Sequence, residues 1–145
     1  MKYIAGVSAD THFPEGDYPF IVKSSKPKTS KKGSEMIELI LEVNNNGLSI
    51  QVTDYLVFDG AVFTSARIDQ FRTAIGEVIL AGEEVDVLPS ELLSKNGTAH
   101  LVVEEWNGKK RNKIGSYLEP DNIPLPLEVE TTPAKKASKK TQNLY

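Results

Sequence analysis

The sequence predicts an all-β domain carrying one helix, in the order β-β-β-α-β-β, followed by a polar tail. Three observations predict it. Five segments alternate apolar and polar residues at period two, a single segment repeats apolar residues at helical spacing, and Asn-Gly dipeptides stand between strand-like runs where tight hairpins form.

Residues 1–16 read as a lead-in that ends in the turn-prone Phe13-Pro14-Glu15-Gly16, so order is expected from about Asp17. Tyr18, Phe20 and Val22 then alternate with Pro19, Ile21 and Lys23, which predicts a first strand from Tyr18 to Ser24. Ser25 to Gly33 holds Lys26, Lys28, Lys31 and Lys32 with Pro27 and Gly33, and is expected to be a basic loop. Ile37, Leu39, Leu41 and Val43 alternate with Glu38, Ile40 and Glu42 in a second strand, Glu35 to Asn44. Asn46-Gly47 supplies residues that tolerate positive φ, and a third strand follows from Leu48 to Phe58 with Leu48, Ile50 and Val52 inward.

Asp59-Gly60 ends that alternation. Thr64 or Ser65 is positioned to cap a helix in which Ile68, Phe71, Arg72 and Ile75 recur at helical spacing, with Gly76 near its end. Pro89-Ser90-Glu91-Leu92-Leu93 suits one helical turn within the connection that follows. A fourth strand, Thr98 to Trp106, turns through Asn107-Gly108 into a fifth, from about Arg111 to Leu118. In that last strand Ile114, Ser116 and Leu118 are expected on one face and Lys113, Gly115 and Tyr117 on the other, while Phe20, Phe63 and Phe71 are assigned to the core. Pro120, Pro124, Pro126 and Pro133 and a Lys-rich end predict an extended tail over residues 120–145, behind a domain of residues 1–119.

This element order matches a five-stranded Greek-key barrel with a helix between strands three and four, the OB-fold. A plain β-sandwich and an SH3-like barrel are the alternatives. Parallel α/β units are disfavoured because their strands read as continuous apolar runs.

The chain has 145 residues, 17 basic and 20 acidic, and a formal net charge of −3. One domain of this size buries enough apolar surface to fold alone. Cysteine is absent, which removes disulfides, thiolate metal sites and cysteine nucleophiles together and suits a reducing cytoplasm. No apolar run approaches the ~20 residues a membrane helix needs, and the N-terminal residues carry no apolar signal core. Catalytic chemistry is poorly supplied: His12 and His100 are isolated, and the adjacent Glu104 and Glu105 point to opposite faces of a strand. Asp54 and Asp59 are expected on a solvated face, and no phosphate-cradling glycine loop occurs. The expectation is a protein that is not an enzyme and that needs no metal or cofactor.

The basic residues are unevenly placed. Lys26, Lys28, Lys31 and Lys32 fall in the first loop and Lys109, Lys110, Arg111 and Lys113 in the last hairpin, so 8 of the 17 flank the face an OB-fold uses for oligonucleotides. Cations near phosphates release counterions and give affinity that falls with salt, independent of sequence. Single strands also offer base faces to aromatic rings. Trp106 at the mouth of the hairpin and Tyr117 on its return strand are the first candidates for stacking, with Tyr55 or Phe58 next.

Pro14-Glu15-Gly16-Asp17-Tyr18, Lys32-Gly33-Ser34-Glu35-Met36-Ile37, Asp54-Tyr55-Leu56-Val57, Gln70-Phe71, and Trp106-Asn107-Gly108-Lys109 before Asn112-Lys113-Ile114 carry a resemblance. Across residues 13–119 the chain resembles a family of small bacteriophage proteins, encoded among replication and recombination genes and regarded as OB-fold single-stranded DNA-binding proteins. The resemblance implies protection or presentation of single-stranded DNA in the host cytoplasm, beside phage or host replication and recombination proteins, with homo-oligomers compatible. The chain departs from one common pattern of single-strand binders, an acidic tail with a hydrophobic end: Glu119, Asp121, Glu128 and Glu130 come first, Lys135 to Lys140 follow, and Leu144-Tyr145 is last. The competing expectation, from the negative net charge and the Pro-rich tail, is a protein-interaction or virion-assembly module that binds no nucleic acid.

Overall fold

The structure is a computed structural model that describes residues 1–8 and 10–120. The tail expected beyond Pro120 lies outside the described residues. Five strands form one antiparallel sheet: β1 (Gly16–Thr29), β2 (Glu35–Asn45), β3 (Leu48–Phe58), β4 (Asn96–Trp106) and β5 (Lys109–Leu118), in the spatial order β3-β2-β1-β4-β5. Helix α1 (Val62–Ala74) and the single turn α2 (Pro89–Leu92) lie between β3 and β4.

Both hairpins close as the Asn-Gly dipeptides predict. Asn46 and Gly47 have φ of 51° and 89°, and Asn107 and Gly108 have 52° and 78°. Positive φ at both central residues is the twist that lets flanking strands stay paired.

β1 is twice as long as its alternation suggests, because it serves two neighbours. Gly16 to Ile21 pair with β4, whereas Phe20 to Thr29 pair with β2. The register shifts between Val22 and Ser24, leaving Lys23 as an extra residue where the strand bends from one partner to the other. The expected loop over residues 25–33 is therefore corrected: Lys26 and Lys28 belong to β1, and only Ser30 to Ser34 turn. β2 is an inner strand, and its backbone groups need a partner on this side whatever the side chains of that partner are. The backbone of residues 24–29 meets the need while the Lys26 and Lys28 side chains stay exposed, with Lys26 registered opposite Glu38.

β5 holds a second irregularity. Leu101 pairs with Ile114 and His100 with Ser116, so Gly115 is an unpaired extra residue. A Cβ at Gly115 would stand 2.9 Å from Val102 Cγ1, which explains why the position carries none. The bulge rotates the strand by one residue, and Ile114 and Tyr117, three apart, both enter the core. The expectation that Tyr117 lies on the face opposite Ile114 is thereby overturned.

The core is the inner row of β2, Ile37, Leu39, Leu41 and Val43, facing Phe20, Val22, Val52, Leu56, Ala99 and Leu101. Phe20, Phe71 and Tyr117 form an aromatic cluster with ring centroids 5.1–6.3 Å apart, one pair stacked and two edge-to-face, within the range such pairs favour. Leu48 and Ile50 are only half-buried, packed at its margin. α1 lies against β3, β4 and β5 and buries Phe71 and Ala74. It begins at Val62, ahead of the expected caps. Its N-cap is Ala61, with no side-chain cap; Asp59 closes the turn just before it, its Oδ1 accepting the Ala61 N–H at 3.0 Å and the Thr64 hydroxyl, which hold its carboxyl below the usual range, the hydroxyl contributing most. The earlier start places Phe63 on the outer side of the first turn, 86% exposed and outside the core assigned to it.

Strands β3 and β5, the two ends of the sheet order, are spanned by side chains. The Tyr117 hydroxyl donates to Asp54 Oδ2 at 2.5 Å, and Arg67 Nη2 donates to the same oxygen at 3.3 Å. Arg67 also donates from Nη1 to the Gly115 carbonyl and from Nη2 to the Ile114 carbonyl, both at 3.1 Å, and its guanidinium lies 5.0 Å above the Tyr117 ring. Asp54 is thus a half-buried structural carboxylate, not part of a solvated face. Burial first, and the Asp54 charge second, push the Tyr117 hydroxyl well above its ordinary pKa, so it stays a donor.

Candidate nucleic-acid interface

The residues that carry chemistry meet in a groove of about 960 Å³ between the outer face of β3 and the β4–β5 hairpin. Alternation along β3 sends Ser49, Gln51, Thr53 and Tyr55 outward, and these polar side chains form one wall. The hairpin forms the other. Its register sets Trp106 opposite Lys109, Glu104 opposite Arg111 and Val102 opposite Lys113, so one hairpin face presents an indole and three cations. Lys110 also lines the groove.

The cations are partly neutralised from within. Arg111 Nε donates to Glu104 Oε2 at 2.7 Å, and Lys113 reaches Glu104 Oε1 at 3.5 Å. The Arg111 bond, followed by the two positive charges, lowers the Glu104 pKa and keeps that carboxylate ionised. Lys109 pairs with Asp10 at 3.6 Å. Lys110 has no ion-pair partner among the described residues.

Of the four rings expected to stack, Trp106 and Tyr55 are accessible. Trp106 is 56% exposed, with the Arg111 guanidinium 4.8 Å from its centroid on one side. Tyr55 is 44% exposed and donates its hydroxyl to Glu38 Oε2 at 3.2 Å. Partial desolvation and that carboxylate raise the Tyr55 pKa, so the ring is neutral at ordinary pH. Tyr117, 3% exposed, is removed from the candidate set because it is core. Phe58 is half-buried against the core as well.

The first basic cluster is placed differently from the second. Lys28 meets the groove's rim through Glu38, at 4.0 Å, and Lys26 stands in the cross-strand row that continues through Glu38 to Tyr55. Lys31 and Lys32 sit in the turn beyond, with Lys32 close enough to Asp59 to help hold its carboxylate ionised. None of the four lines the groove itself.

Sequence reasoning passed over the lead-in. Val7, Ser8, Asp10, Thr11 and Phe13 line the groove, and Phe13 is buried. Asn112 fixes it: the Phe13 N–H donates to Asn112 Oδ1 at 2.7 Å, and Asn112 Nδ2 donates back to the Phe13 carbonyl at 2.8 Å. An aromatic residue directly before Pro14 was the available signal. The Glu104–Arg111 pair was also legible, since a two-residue turn at 107–108 sets those positions opposite each other.

His100 serves structure. Its Nδ1 is 2.7 Å from Asp17 Oδ1 and its Nε2 is 3.1 Å from Glu15 Oε2, an arrangement both nitrogens satisfy as donors only in the imidazolium. The Asp17 bond most, then the Glu15 bond, raise its pKa. No group of three or more His, Cys, Asp or Glu among the described residues could hold a metal ion, and no described helix is long and apolar enough to cross a membrane. No protein-family model and no curated protein matches the chain.

Proposed function

We propose that this protein binds single-stranded DNA without sequence preference, on an OB-type sheet whose groove between β3 and the β4–β5 hairpin takes the strand. The observation that carries the reading is the juxtaposition of Lys109, Lys110, Arg111 and Lys113 with two exposed rings, Trp106 and Tyr55, in that groove. Cations track a phosphate backbone and rings stack on unpaired bases, which is the pairing of features a single strand needs and a duplex, with its bases hidden, does not. The neighbour relations β1–β2, β2–β3, β1–β4 and β4–β5 suit a partly open five-stranded Greek-key barrel, with the Asp54–Arg67–Tyr117 clasp spanning the opening. The resemblance of residues 13–119 to phage single-strand binders supports the same reading and suggests a place in phage replication or recombination.

The carboxylates of Asp10, Glu38 and Glu104 in the groove favour a second reading, a protein-interaction module that recognises a partner of mixed charge. A binding isotherm on labelled oligo-dT and on a duplex of equal length, each at two salt concentrations, separates the two. Salt-sensitive binding that prefers the single strand is expected; absence of affinity for either nucleic acid refutes the proposal.

A further inference from the structure

The groove already holds a segment of its own chain. From the Phe13–Asn112 clasp on β5, residues 11, 10, 8 and 7 run along the groove, and Ile4 reaches the β2–β3 turn, its Cδ1 3.5 Å from where a Gly47 side chain would begin. A local turn shapes it, with the Ser8 N–H donating to Thr11 Oγ1 and the Thr11 N–H to the Ser8 carbonyl, both at 3.1 Å. The Asp10 carboxylate lies on Lys109.

We propose that this N-terminal segment is an autoinhibitory strap, in which Asp10 stands where a phosphate would sit on Lys109 and must leave when a nucleic acid strand enters. The inference rests on the single-strand reading of the groove and adds its regulation. Two features make the strap displaceable. Tyr3, Ile4 and Val7 remain exposed, so little apolar burial holds the segment down, and its charge contact is a solvent-exposed ion pair. The anchor is different in kind: Phe13 is buried and doubly bonded to Asn112, so the strap is tethered at one end and opens without disturbing the core.

The test is a four-protein cycle on the full chain: the native protein, Asp10→Asn, Lys109→Gln and the double variant, each titrated with labelled oligo-dT. Asp10→Asn is expected to tighten binding by about two- to fivefold in the native background, the range of an exposed ion pair, and to do nothing once Lys109 is Gln. Equal tightening in both backgrounds is a general charge effect and overturns the inference, as does no tightening at all. The chain has no cysteine, so a spin label at Ser8→Cys is unique. Oligo-dT is expected to increase its mobility; a less mobile label means the segment closes over the strand and also overturns displacement. If none of the four proteins binds with salt sensitivity, the single-strand reading fails and this inference with it. Binding by all four without coupling fails this inference alone.

Discussion

Replacing Lys109, Lys110 and Arg111 together by Gln tests whether the β4–β5 hairpin grips phosphates. Each cation that neutralises one phosphate of a single strand contributes about 0.7 to the slope of log affinity against log salt. Three independent contacts therefore predict a slope shallower by roughly 2, so that raising salt from about 50 to about 200 mM erodes the native protein's advantage roughly twentyfold. The groove sets a lower bound. Lys109 and Arg111 are held by Asp10 and Glu104, and only Lys110 has no such partner among the described residues, so a slope change near 0.7 is expected if the internal pairs persist on binding. Fluorescence anisotropy of labelled oligo-dT across that salt range reads the slope directly. All three side chains are exposed, so the thermal midpoint should move little. An unchanged slope, with the fold intact, would refute the assignment of this hairpin to the phosphate backbone.

Four further outcomes are expected. Trp106→Ala should weaken oligo-dT binding by roughly 1–3 kcal/mol with the salt slope unchanged, because stacking involves no counterions; a changed slope with intact affinity would contradict it. Tyr117→Phe should leave binding intact but cost about 1–3 kcal/mol of stability in denaturant unfolding, since half-buried Asp54 loses a donor. Gly97→Ala should destabilise by about 1–3 kcal/mol or more, as its Cβ would lie 2.7 Å from the Ala74 carbonyl oxygen and 3.0 Å from Phe20 Cζ; a native thermal midpoint would show that α1 is free to shift. His100→Asn should remove a pH dependence. The folded-state pKa of His100 is raised above its unfolded value near 6.5, so its stabilisation is complete below that value and is lost as pH rises through the raised one. Thermal midpoints of native protein and variant should therefore converge with rising pH across that window, and parallel curves would exclude the Asp17–His100–Glu15 contact as the cause.

The aromatic candidates illustrate what alternation alone can settle. Trp106, at a hairpin mouth, and Tyr55 and Phe58, near a strand end, are stacking candidates by position, and of these Trp106 and Tyr55 are exposed while Phe58 is half-buried against the core. Tyr117, a candidate from its place on the return strand, is buried, because Gly115 inserts one residue into β5 and reverses the face of everything after it. A bulge depends on which residues oppose the strand, and no pattern within Arg111–Leu118 announces that. Phe63 failed for a related reason: the helix starts directly after the turn that Asp59 closes on the Ala61 N–H and the Thr64 hydroxyl, so a shift of three or four positions in the N-cap turns an apolar side chain outward.

By itself the sequence determined the elements, since period-two alternation, one helical repeat and two Asn-Gly turns report contacts between residues close along the chain. It also determined the hairpin cations opposite Glu104 and Trp106, because a two-residue turn dictates those pairs. Only the tertiary structure decided that β1 extends to Thr29 between two partners, that Tyr117 is core, and that the lead-in lies along the groove. Two of these rest on residues far apart along the chain, 83 positions between Asp17 and His100 where β1 meets β4 and 99 between Phe13 and Asn112 at the lead-in, and such pairings leave no period in the sequence to read.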